Sequence, residues 1–218
     1  GCLVPERIDV DWAKAEAVPE IRTALAELDA KRLEDVPMAV TQLLRDRQEA
    51  ELGKLRWMVE QIQYGLEQRK SLVIMLNFRA SLAALRGMLA REGISADIIW
   101  GDMLRSEIDA AIAAFQGNAR HVILVQIDSG GVGISLHDKH HARPRECLIS
   151  PGWSAVALKQ ALGRTRRLGG TDTVWRLVAC AGTPELAVLK KLEGKMRNMD
   201  TINDGDLAWG ENDSMIPE

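Results

Sequence analysis

His121-Val-Ile-Leu-Val-Gln-Ile127 runs straight into Asp128-Ser129-Gly130-Gly131-Val132-Gly133-Ile134-Ser135-Leu136. The first seven residues are mostly apolar and rich in β-branched side chains, which predicts a strand. The glycines that follow let backbone N–H groups approach an anion without a Cβ in the way. A simple tight turn would use the same residues.

The segments on either side repeat the pattern. Ser71-Leu-Val-Ile-Met-Leu-Asn77 is a short apolar run, as expected of a strand buried on both faces. A helix carrying Leu82, Leu85 and Leu89 on one side follows it. Residues 96–100 read as strand. Residues 105–116 read as helix, with Ile108, Ile112 and Phe115 inward. Downstream, 146–150 is a strand, 154–166 a helix and 172–181 a fifth strand. Thr183-Pro184-Glu185 then opens a last helix with cap, proline and acid in order. Such alternation predicts an α/β fold, a parallel sheet with helices on both faces. Ligands of such sheets bind beyond the carboxyl ends of the strands, so the loops after Asn77, Ile127 and Ser150 are expected to share one functional edge.

Lys159-Gln160-Ala-Leu-Gly-Arg164-Thr-Arg166-Arg167-Leu-Gly-Gly170 crowds four cations onto the end of one helix. Arg164 and Arg167 are three apart and would share a helical face. Guanidinium groups fork onto phosphate oxygens. A solvated basic helix end is the plainer use of the same residues.

Upstream of the sheet, 1–17 reads as an extended acidic lead-in. Two helices follow, one with Ile21, Leu25 and Leu28 on a face, the other with Val40, Leu43 and Leu44. A longer helix carries Leu52, Leu55, Val59, Ile62 and Leu66, a stripe that needs a packing partner. The expected domains are a helical lead-in over 1–50, the α/β domain over 51–200 and an acidic tail over 201–218.

A chain of 218 residues can bury one sizeable core. Its net charge of −3 excludes a bulk polycation, so nucleic-acid contacts must come from local patches. Three separated cysteines (Cys2, Cys147, Cys180) fit a reducing cytoplasm. No apolar run reaches membrane-spanning length. The start at Gly1 suggests a fragment or a processed product. His137, His140, His141 and Cys147 invite a zinc reading, but a second ligand cluster is missing, so no metal ligands are assigned.

Gln160-x-x-Gly163-Arg164-x-x-Arg167 resembles the sixth motif of superfamily-two helicases and Swi/Snf-type translocases. Gly130-Gly-Val-Gly133 resembles their fifth motif, Asn77-Phe78-Arg79 their fourth, and Pro151-Gly-Trp153-Ser154 the turn before the sixth. Ser-Leu-His-Asp138 and Ile-Ser-Pro-x-Trp-Ser154 are similar in wording to helicases of phages and large DNA viruses. The resemblance covers roughly residues 45 to 207. It implies a RecA-like second helicase lobe. By that resemblance Arg164 and Arg167 reach ATP held by another domain, with Gln160, Gly133 and Ser135 near the nucleotide. Asn77, Arg79, Ser129, Gly130 and Trp153 would lie along the nucleic acid.

No Gly-x-x-x-x-Gly-Lys-Ser/Thr and no Asp-Glu pair after an apolar strand occur in the chain. The resemblance therefore implies that ATP and Mg2+ are held mainly by a first RecA-like lobe, and that this chain alone does not turn over ATP. DNA is the expected track rather than RNA, because Gln160 stands where many RNA helicases carry histidine. The expected location is cytoplasmic, in the host if the source is a phage or virus. Two other readings stay open on the residues: a non-catalytic RecA-like module binding DNA or a partner, and an unrelated nucleotide-binding α/β domain.

Overall fold

The computed structural model describes residues 2–30, 38–127, 134–166, 170–202 and 208–209. Among the described residues the strands are β1 (Cys2–Ile8), β2 (Ser71–Leu76), β3 (Ala96–Ile99), β4 (Val122–Gln126), β5 (Arg145–Ile149), β6 (Thr173–Cys180) and β7 (Ala208–Trp209). They form one sheet in the order β3-β4-β2-β5-β6-β1-β7, and every pairing is parallel. The described helices that accompany them are α1 (Trp12–Glu16), α2 (Pro19–Ala30), α3 (Met38–Gly53), α4 (Leu55–Glu67), α5 (Arg79–Arg91), α6 (Arg105–Gln116), α7 (Ala155–Thr165) and α8 (Pro184–Ile202).

All six residues of β2 are buried because the sheet is covered on both sides. Its alternate side chains serve two cores. Val73 and Met75 join Phe115 of α6, Leu158 and Leu162 of α7, and Val188 and Leu192 of α8. Leu72, Ile74 and Leu76 join Ile21 of α2, Leu55, Met58 and Ile62 of α4, and Leu82, Leu85 and Leu89 of α5. The stripe over Leu52–Ile62 thus finds its partner in the sheet itself.

Three features differ from the sequence expectation. Cys2–Ile8, read as a lead-in, is a strand paired along its length with β6. Its burial does not alternate cleanly, so no period-two signal marked it. The long helix is broken at Lys54 into α3 and α4. Gly53 there faces the Trp12 ring, whose nearest atom lies 2.7 Å from where a Cβ would be. Val40, Leu43 and Leu44 are exposed rather than inward. Residues 29–30, 38–39 and 197–202, like β7, are described by their backbone.

Candidate nucleic-acid and nucleotide interface

The parallel ladder brings out the carboxyl ends of β2, β4 and β5 side by side. Ile127 N donates to Leu76 O at 2.9 Å and Ser150 N to Met75 O at 2.9 Å. Asn77, Ile127 and Ser150 therefore line one cleft of about 230 Å³, with Arg47, Phe78, Trp153 and Ser154. The shared edge expected from the alternation is present in the fold.

The cleft's floor is built by charged residues of α3 that the stripe concealed. Glu51 is fully buried. Its carboxylate accepts from Asn77 N (2.9 Å), Asn77 Nδ2 (2.8 Å) and Phe78 N (3.0 Å). Asn77 Nδ2 also donates to Pro151 O at 3.3 Å. The two Asn77 amide protons are thus spent inside the chain, fixing the turn after β2 against the turn after β5. Arg47, 7% exposed, donates from Nη2 to Pro151 O at 3.3 Å and lies 5.8 Å from the centroids of both the Phe78 and Trp153 rings. Its Nε has no partner.

Lys54 anchors the same turn from below. It is fully buried, and its Nζ donates to Ser150 Oγ (2.8 Å), Val178 O (3.0 Å) and the Glu185 carboxylate (2.7 and 2.8 Å). Glu185 also accepts from Cys180 N at 2.9 Å. One ion pair so joins the α3–α4 junction, the turn after β5, β6 and α8. Burial pushes the Cys180 thiol up to about 11 and the Cys147 thiol up to about 12, so neither is a thiolate at neutral pH. Glu51 and Lys54 sit beside Leu52 and Leu55. A charge on the inward side of an apolar stripe was the only available signal for them.

Arg79 and Trp153 flank the cleft. Arg79 is exposed and pairs with Asp102 at 2.6 Å, 5.9 Å from the Trp100 ring centroid. That hydrogen bond holds the Asp102 carboxyl below its ordinary value and the Arg79 guanidinium above its own. Trp153 is 37% exposed, with Lys191 Nζ 5.1 Å from its ring centroid and Lys195 Nζ donating to its carbonyl at 3.3 Å. Ser154 caps α7 by accepting from Ala157 N at 3.1 Å.

At the other end of α7, the structure forms a second group. Leu136 N donates to Arg164 O at 2.7 Å, bringing the segment after the glycine loop against the last turn. Ser135 Oγ is 2.8 Å from His137 Nδ1, and Gln116 Nε2 donates to Ser135 O. Arg164 is 9% exposed, and among the described residues its Nη1 has no hydrogen-bond partner. Burial lowers its pKa. Gln160 is exposed one turn earlier.

The helix ends sooner than the shared-face argument for Arg164 and Arg167 requires. Thr165 Oγ1 donates to Leu162 O (3.0 Å) and accepts from Trp175 Nε1 (2.7 Å), while Thr173 Oγ1 donates to Thr165 O (3.2 Å). These core contacts stop α7 at Thr165, and Arg166 is extended at φ −116, ψ 121. Arg167, Ser129, Gly130 and Gly133 lie outside the described residues. The structure separates two sets: Asn77, Arg79 and Trp153 around the cleft, and Ser135 with Arg164 about 16 Å of helix away, at 1.5 Å per residue.

A parallel sheet covered on both faces, with these loops at its carboxyl edge, defines a RecA-like lobe. Residues 53–169 match the family described as "Helicase conserved C-terminal domain", and the chain belongs to that family. That match places the chain's sheet in the C-terminal lobe of helicases. A candidate ATP-dependent RNA helicase of Acanthamoeba polyphaga mimivirus, L364, is 36% identical over 195 residues, covering 88% of this chain and 35% of that protein. The DNA repair protein RAD5 of Yarrowia lipolytica is 29% identical over 102 residues, covering 47% of this chain and 10% of that one. The chain thus spans about a third or less of these curated relatives. Among solved structures, the Sulfolobus solfataricus SWI2/SNF2 ATPase core in complex with dsDNA has a TM-score of 0.63 at 20% identity, covering 94% of this chain and 47% of that one. The isolated C-terminal domain of that ATPase gives 0.53 at 16% identity, covering 88% and 86%. At these identities the likeness is one of fold. Among the described residues, no helix is long and apolar enough to cross a membrane.

Proposed function

We propose that this chain is the second motor lobe of an ATP-driven DNA helicase or translocase, working against a first RecA-like lobe. One observation carries the reading. Arg164 is a buried guanidinium with an unpartnered N–H at the end of the family's arginine helix. Burying such a donor costs free energy that nothing within the described residues returns. A phosphate presented by another domain would return it. Arg167, Gln160, Gly133 and Ser135 complete this nucleotide-facing set by family resemblance.

ATP with Mg2+, held by the first lobe, supplies the phosphoryl group and the charge that shifts during its transfer. Arg164 then stabilises that charge only when the lobes close, which couples closure to hydrolysis. The cleft at the carboxyl edge serves the nucleic acid. Arg79 and Arg47 offer guanidinium groups to the backbone, Trp153 offers an exposed ring, and Ser129 and Gly130 belong to the same track by resemblance. Asn77 takes a positioning role, since its amide is held by Glu51. The mimivirus relative is named for RNA and the RAD5 relative for DNA repair; Gln160 favours DNA.

The test is nucleic-acid-stimulated ATP turnover in a polypeptide that joins this lobe to its first lobe. Arg164→Ala is expected to lower turnover by about 10³ to 10⁵, with lysine rescuing poorly because a point charge does not reproduce the fork. Arg166→Ala is the internal control. Turnover unchanged by Arg164→Ala, or ATP hydrolysis by the present chain alone that Arg164→Ala abolishes, refutes the assignment. Stimulation by RNA but not DNA would correct the track.

A further inference from the structure

The sheet edge opposite the cleft carries charge that this motor cycle does not use. β4, β2 and β5 begin side by side, with Leu72 N donating to His121 O at 2.8 Å and Ser71 N to Pro144 O at 3.0 Å. Arg69, His121, Arg143 and Arg145 therefore converge at the amino ends of three neighbouring strands. Arg143 Nη2 donates to Lys70 O at 2.9 Å, and the Arg145 guanidinium lies 4.5 Å from the Phe115 ring centroid. Arg145 is 1% exposed, yet among the described residues its Nε and Nη2 have no partner, and neither do Arg143 Nε and His121 Nδ1.

The carboxylates nearby are already engaged. Asp97 pairs with Arg120 at 3.7 Å, and Glu146 with Lys70 at 2.7 Å and Arg176 at 3.3 Å. Asp138 is buried and accepts from the backbone N–H groups of His140, Ala142 and Arg143 and from the Thr171 hydroxyl. It offsets part of the Arg145 charge and pins the loop that exposes Lys139, His140 and His141. Arg69, Lys139, Arg143 and Arg145 form no ion pair among the described residues. Like charges held together in a low-dielectric edge raise the local potential and favour anions. The same crowding lowers the pKa of His121, by burial first and then by Arg143 and Arg145, and that of Arg143, by burial first and then by Arg69.

We propose that this amino-terminal edge is a second polyanion site, taking the sugar-phosphate backbone of a nucleic-acid segment other than the one in the cleft. Arg69, Lys139, His140 and His141 make the outer contacts, and Arg143 and Arg145 supply charge from beneath. Phe115 is buried under Arg145, so the contacts are with phosphates rather than bases. The choice of nucleic acid over an acidic peptide rests on the proposed function.

The test measures binding of a fluorescent duplex of about 20 bp to the full chain between ~50 and ~200 mM salt. Arg69→Glu/Lys139→Glu, both exposed, is expected to weaken binding about tenfold at low salt and to reduce the slope of log affinity against log salt by about two. The loss should persist in an Arg79→Glu background, where binding at the cleft is weakened, because the two sites take separate segments. By NMR, the duplex should raise the His121 titration midpoint. Equal affinity of parent and double variant, or an unmoved His121 midpoint, overturns the proposal. Displacement of the duplex by polyglutamate at lower concentration than by unlabelled duplex overturns the nucleic-acid assignment. Failure of the parent to bind duplex also overturns it, while leaving Arg164, read by ATP turnover, untouched.

Discussion

Lys54 and Arg164 are both buried cations, and they have opposite surroundings. Lys54 Nζ has a carboxylate, a hydroxyl and a carbonyl within 3.0 Å. Arg164 has no acidic neighbour within ion-pair distance among the described residues, and an N–H with nothing to donate to. A charge taken from water must be repaid by partners, or it lowers stability. Lys54 is repaid within the chain, so its role is to hold four elements together. Arg164 is not repaid by any described residue, and under the proposed function its partner is a phosphate held by the first lobe.

Substitution should separate the two. Lys54→Ala leaves the Glu185 carboxylate buried and unpaired, and should lower unfolding free energy by about 3–5 kcal/mol. Lys54→Met with Glu185→Leu should recover much of that loss in urea melts. A Lys54→Ala chain melting like the parent would erase the contrast.

Thr165→Val tests whether the last turn of α7 is set by the core rather than by Arg164. It removes the acceptor of the Trp175 indole N–H and should cost about 1–3 kcal/mol. The Trp175 fluorescence should change with it.

Arg164→Met should leave stability within about 1 kcal/mol of the parent, or raise it, because an unpaired charge is exchanged for an apolar chain of similar length. A loss of several kcal/mol would make Arg164 structural and place it with Lys54.

The smallest effect concerns pH. His121 has its folded pKa lowered from the ordinary 6.5, by burial first and by Arg143 and Arg145 after it. The unfolded chain therefore binds more protons below about pH 6.5, so stability from this group is present above that pH and declines as pH falls through it. His121→Gln should flatten the melting temperature between pH 7 and pH 6 relative to the parent. An identical slope would remove His121 from the account.

Much of this was readable in the chain. The apolar runs at Ser71–Leu76 and Val122–Gln126, alternating with helical stripes, determined a parallel α/β sheet, because strands buried on both faces admit little else. Position in such a sheet then placed Asn77, Ile127 and Ser150 on one edge. The tertiary structure alone decided which polar atoms are satisfied. That Asn77 is held by Glu51, that Lys54 is repaid and Arg164 is not, and that Cys2–Ile8 completes the sheet beside β6 all depend on residues far apart in sequence. So does the end of α7, where Trp175 and Thr173 capture Thr165 and Arg166 leaves the helix. Periodicity records which side of an element is apolar; it holds no record of which distant donor meets which acceptor, and that pairing separates Lys54, repaid within the chain, from Arg164, which no described residue repays.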